Sequence, residues 1–144
     1  MGALATLRDN HPVWFGSDVA QAGLRDDGIL DPAALDVASL FGCPDFSMDR
    51  ATRLAYGDSC MTHAMVLQGV DLDADGKTTG WRVENSWGKD FGHEGFYLMS
   101  DAWFTEYVYQ VAVDKKYLTE EELAAWATEP ISLRPWDPMG TLAH

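Results

Sequence analysis

The sequence predicts an α+β fold in which antiparallel strands dominate and the helices are short. Three observations carry this. Two apolar runs, 62–70 and 81–88, flank a polar loop, which is the pattern of a β-hairpin. The stretch Tyr107 to Val113 reads Tyr-Val-Tyr-Gln-Val-Ala-Val, β-branched and aromatic residues that fit a pleated surface. The helix-like segments are brief and start at capping residues.

Met1 to Arg8 carries Ala3, Leu4 and Leu7 at helical spacing and ends at the breaker Asn10-His11-Pro12. Val13 to Val19 reads as a strand. Residues 20–50 are less regular: Asp26-Asp27-Gly28 is a turn, Asp31-Pro32 opens a turn or helix, and Leu35, Val37, Leu40 and Phe41 are candidates to pack. Ser47 to Tyr56 reads as a short helix with Ser47 as N-cap. In the hairpin, Val66, Leu67 and Val70 on one strand and Trp81 and Val83 on the other suit burial. Ser100-Asp101-Ala102-Trp103-Phe104 reads as a helix of one or two turns with Ser100 or Asp101 as its cap. Thr119 followed by Glu120, Glu121 and Glu122 starts another, with acids where the helix dipole favours them. It should run to about residue 128 and stop before Pro130. Residues 131–144 carry Pro135, Pro138 and Gly140 and read as an irregular tail.

A chain of 144 residues is sized for one domain, residues 1–144, and 47% hydrophobic residues are enough for a packed core. No apolar run approaches the roughly 20 residues of a membrane helix. The start lacks a signal peptide's apolar core, which points to the cytoplasm. The net charge of −13 argues against a basic nucleic-acid footprint. It serves solubility, and an acidic surface also favours cationic partners such as peptides with a free amino terminus. The two cysteines, Cys43 and Cys60, are too few for a disulfide scaffold and fit a reduced compartment.

The hairpin has a chemical use. It starts at His63 and ends at Asn85, and folding sets its two ends side by side. An imidazole needs one ring nitrogen tied to a partner, so that the other can exchange a proton with a nucleophile. An asparagine carbonyl oxygen can be that partner. On its own, a lone His in a strand is more readily a core residue bonded to a backbone carbonyl, and an Asn at a strand end is a turn cap. Asp71-Leu72-Asp73-Ala74-Asp75-Gly76 imitates the start of a calcium loop, but the place of its final glutamate holds Arg82. Asp71, Asp73 and Asp75 are therefore read as a polar hairpin tip. His11 and His93 sit in turn-rich contexts and read as surface residues. No metal-ligand spacing links them to His63, so neither metal nor other cofactor is expected.

His63-Ala64, then Asn85-Ser86-Trp87-Gly88, then Gly92-x-x-Gly95-Phe96 resembles the papain-like cysteine peptidases. Pro12-Val13-Trp14-Phe15-Gly16, Met61-Thr62-His63-Ala64-Met65, Trp81 to Gly88 and Trp136-Asp137-Pro138-Met139-Gly140 narrow the resemblance to the bleomycin hydrolase and bacterial aminopeptidase C branch, over nearly the whole chain. The resemblance implies the β-rich half of a papain-like fold, an antiparallel, partly closed barrel with short peripheral helices. It implies His63 as general base and acid, Asn85 as its orienter, and Trp87 lying over the pair to keep water out. It also implies a C-terminal tail that folds into the cleft and anchors the substrate's amino terminus, here through Ala143 and His144.

The nucleophile is what this sequence lacks. Cys43 sits in Phe41-Gly42-Cys43-Pro44, without the Gln-x-x-Cys-Gly-Ser-Cys-Trp-like context of papain relatives. Cys60 stands just before His63, where an extended chain would hold the two side chains apart. The expectation is the C-terminal part of a cysteine aminopeptidase, inactive alone, whose N-terminal helical half is its missing partner. The intact protein would be a homo-oligomer, a ring-like hexamer as the family implies. The rival expectation is a binding or regulatory module of the same fold that lost its nucleophile.

Overall fold

A computed structural model describes residues 2–42, 48–138 and 140. In chain order the elements are α1 (Gly2–Arg8), β1 (Val13–Ser17), β2 (Gly23–Leu24), β3 (Ile29–Leu30), α2 (Val37–Phe41), α3 (Arg50–Tyr56), β4 (His63–Leu72), β5 (Thr78–Glu84), β6 (Phe96–Ser100), α4 (Asp101–Tyr107), β7 (Val108–Ala112) and α5 (Glu120–Trp126). Single 3-10 turns lie at Pro32–Ala34 and Lys115–Tyr117.

The strands form one seven-stranded sheet in the order β2-β3-β6-β5-β4-β1-β7. Its centre is the expected hairpin: β4 and β5 pair antiparallel, with Val66 opposite Glu84 and Leu67 opposite Val83. The α+β half-barrel with short peripheral helices is the architecture observed. Its one parallel pairing among the described residues sets β3 against β6, Ile29 opposite Leu98.

Side chains alternate across a strand, and here alternation decides what is buried. Val13 and Phe15 of β1, Met65 and Leu67 of β4, Trp81 and Val83 of β5, and Tyr97 and Met99 of β6 all point into one core. Trp14 and Leu98, one position out of phase, are exposed. α4 drops Trp103 onto this face, where it is fully buried and its indole N–H donates to the Gln21 carbonyl at 2.8 Å. Trp81 stacks on Phe104 at 4.7 Å and donates to Asp101. Each such large side chain contributes about 1.5–3 kcal/mol by leaving water.

The local differences from expectation have simple causes. β1 stops at Ser17, because the Asp18 carboxylate turns to side-chain partners and the Val19 N–H goes to the Thr62 hydroxyl. The N-cap of α3 is Asp49, whose carboxylate accepts from the Thr52 N–H at 2.7 Å. The expected cap, Ser47, lies outside the described residues. Leu35, Val37, Leu40 and Phe41 are exposed, since α2 is a single turn at the periphery. β7 begins one residue late because α4 continues through Tyr107. α5 starts at the expected cap Thr119, which closes a capping box with Glu122, and ends at Trp126. Among the described residues no helix is long and apolar enough to cross a membrane.

Candidate active site

His63 opens β4, and Asn85 follows directly after β5. His63 shares the parity of Met65 and Leu67, and Asn85 that of Trp81 and Val83, so both fall on the side of the ladder that faces the core. Where the ladder ends, the two meet: His63 Nε2 lies 2.8 Å from Asn85 Oδ1. The Ser86 backbone N–H donates to the same oxygen, also at 2.8 Å. A backbone N–H can only donate, so the oxygen end of the carboxamide faces this corner. The His63 Nε2 must then carry its proton, which leaves Nδ1 as the acceptor in the neutral ring. A base held in that tautomer can take a proton from a thiol presented to Nδ1 and return it to a leaving amine.

Trp87 covers the imidazole. Its ring stacks on His63 at 5.0 Å and 25°. Phe91 and Tyr97 meet it edge-on at 6.4 and 6.0 Å, fixing its plane. The Arg25 guanidinium lies 4.4 Å from the ring centroids of both Trp87 and Phe91. Behind the pair, Asn85 Nδ2 and the Tyr97 hydroxyl are buried without a hydrogen-bond partner among the described residues. Burial raises the Tyr97 pKa, with the Arg25 charge opposing.

Two further arrangements hold the corner in place. The buried Asp18 accepts from Ser59 and Gln21, and Ser59 in turn meets the Tyr109 hydroxyl at 2.5 Å. This network anchors the approach to His63, and the Thr62 N–H donates to the Ser17 carbonyl at 2.9 Å. The loop that carries Trp87 is closed by Asn85 N–H to Gly95 O and by Gly92 N–H to Asp26 O, at 3.0 and 3.1 Å.

A cavity of about 340 Å³ adjoins the imidazole, lined by Gly16, Met61, His63, Ala64 and Val111 among others. A second, of about 360 Å³, lies against Trp87 and is lined also by Val19, Arg25, Leu30 and Tyr97.

His63, Asn85 and Trp87, named from the sequence, are thus brought together. Ala143 and His144 of the tail, and Cys43, lie outside the described residues. Cys60 is a partly buried free thiol on the segment leading into β4. His11 and His93 are exposed. At the hairpin tip the Asp73 carboxylate accepts from the backbone N–H groups of Asp75 and Lys77, both at 2.9 Å, which is a turn-forming use. Asp18, Arg25 and Tyr97 were not singled out from the sequence. Arg25 sits in the irregular stretch and gives no local signal. The parity of Tyr97 would have placed it in the core, and only the fold sets it beside Asn85.

The model of the Peptidase C1-like family matches residues 2–140. The chain belongs to the Peptidase C1-like family. Among curated members, Aminopeptidase C of Lactococcus lactis subsp. lactis is 53% identical over 141 residues, covering 98% of this chain and 32% of that protein. Bleomycin hydrolase of Homo sapiens is 48% identical over 142 residues, covering 97% and 31%. The crystal structure of pepw from Lactobacillus rhamnosis matches with a TM-score of 0.89 and 50% identity, covering 97% of this chain and 32% of that one. The chain therefore spans about a third of the length of the relatives it matches. The papain-like fold is shared with pepw, and the His63–Asn85 corner stands on that shared sheet.

Proposed function

We propose that this chain supplies the His/Asn side of the active site of a cysteine aminopeptidase, an enzyme that removes residues from the amino end of peptides. The observation that carries the reading is the 2.8 Å contact between His63 and Asn85, with Trp87 stacked on the imidazole. In this reading His63 Nδ1 draws the proton from a cysteine thiol, and the thiolate attacks the scissile carbonyl. The imidazolium, steadied by Asn85, then protonates the departing amine. Trp87 keeps water from the His63–Asn85 hydrogen bond, which strengthens it. The cavity beside His63, with Met61, Ala64 and Val111 in its wall, takes an apolar substrate side chain.

In this reading the thiol comes from sequence beyond these 144 residues, in the part of the longer relatives that this chain does not match. Cys60 leads directly into β4 and belongs to the same segment as the base, so we assign it no catalytic role.

The test is an assay on an aminoacyl amide, with a thiol alkylator as control. The chain alone should give no alkylator-sensitive turnover. The same chain fused behind the N-terminal two-thirds of a Lactococcus aminopeptidase C should give it, and His63→Ala should abolish it. Alkylator-sensitive turnover by the isolated chain would move the nucleophile back to Cys43 or Cys60. Peptide binding without turnover in the fusion would favour a nucleophile-less binding module.

A further inference from the structure

The cavity against Trp87 has a chemistry of its own. Its walls include Val19, Leu30, Trp87 and Tyr97, and its charged member is the exposed Arg25. The guanidinium is wedged in an aromatic corner, 4.4 Å from two rings that stand at 74° to each other. Those contacts hold the charge without using its N–H donors as donors. Among the described residues the Arg25 guanidinium has no hydrogen-bond or ion-pair partner. Asp26 is close enough to act on Tyr97, yet it makes no ion pair with Arg25.

We propose that this cavity binds the carboxylate end of an amino acid or short peptide, with Arg25 taking the carboxylate and the apolar walls taking the side chain. A guanidinium held by aromatic rings has its fork already oriented, and a fork of N–H donors matches a carboxylate with two parallel hydrogen bonds. The surrounding field works against anions, because the chain carries a net charge of −13. Arg25 supplies the local attraction that overcomes it. Placement links the cavity to the chemistry: Trp87 is shared between its wall and the face of His63. On the peptidase reading, which this deepens, the leaving part of a short peptide lies across Trp87 and its terminal carboxylate reaches Arg25.

The experiment needs binding only. N-acetyl-leucine and N-acetyl-leucinamide are titrated into the chain while the Trp87 indole and Arg25 side-chain N–H resonances are followed. The carboxylate should bind at least about tenfold more tightly than the amide. Arg25→Gln, an exposed change outside the core, should bring the two to parity. Equal affinities, the absence of shifts at Trp87, or a carboxylate preference that survives Arg25→Gln would overturn the site. Because no turnover is measured, failure here leaves the aminopeptidase reading intact, and failure of the turnover assay leaves this result intact.

Discussion

The carboxylate of Asp18, buried just past the end of β1, accepts a hydrogen bond from the Ser59 hydroxyl at 2.8 Å. The two residues are far apart in sequence. Their contact ties the end of one strand to the segment that delivers His63. Asp18→Ala would leave the Ser59 hydroxyl with Tyr109 alone and take away one of the two acceptors of the Gln21 amide, the other being the Asp58 carbonyl. We expect a loss of about 2–4 kcal/mol. Denaturant melts of the two proteins measure it, and a change below about 0.5 kcal/mol would show that the network is not structural.

The His63–Asn85 geometry fixes a tautomer. Neutral His63 should carry its proton on Nε2, readable from the imidazole nitrogen shifts. Asn85→Ala removes the acceptor and should let the tautomers mix. In a catalytically complete enzyme the same change should lower kcat by roughly a hundredfold. Trp87→Ala should leave the tautomer in place but speed solvent exchange of the Nε2 proton by at least about tenfold. Unchanged exchange would mean that the ring does not shield the bond.

Gly92 has φ 60°, and a Cβ there would stand 2.5 Å from the Phe96 carbonyl oxygen, with Gly28 Cα at 3.1 Å. Gly92→Ala therefore meets backbone on two sides. The positive φ alone costs about 1–3 kcal/mol, and the clash adds to it. We expect a lower melting temperature and faster amide exchange at His93 and Phe96, whose mutual backbone hydrogen bonds close the loop. Since the loop carries Trp87, its indole resonance should move as well.

Acid should loosen the start of α5 before it touches the core. Glu122 has its pKa lowered, first by the Thr119 backbone N–H and then by its hydroxyl. A carboxyl with a depressed folded-state pKa stabilises fully above its unfolded value, near 4.5. That contribution is lost as pH falls through the lower, folded value. The amide shifts of Thr119 and Glu122 should report fraying in that range. Glu122→Gln can still close the capping box but cannot titrate, so it should remove the pH dependence while keeping the helix.

Some of this molecule is written locally. Strand-forming side chains marked Leu67, Trp81 and Val83 for burial, and all three lie in the core; Val66, marked with them, is only half-buried, because neighbouring residues of a strand point to opposite faces. The Thr119–Glu122 box and the Ser100 cap were readable because both partners lie within one turn. The hairpin likewise put His63 near Asn85, since a turn brings its own ends together. The cap of α3 was misplaced by two residues, since Ser47 and Asp49 offer the same local chemistry. What sequence could not decide is everything that depends on chain segments meeting from a distance. Arg25 entering the Trp87–Phe91 corner, Asp18 reaching Ser59, and the parallel seam of β3 on β6 are set by packing of the whole sheet. Periodicity and capping act over a few residues, whereas these contacts exist only once the core has closed around them.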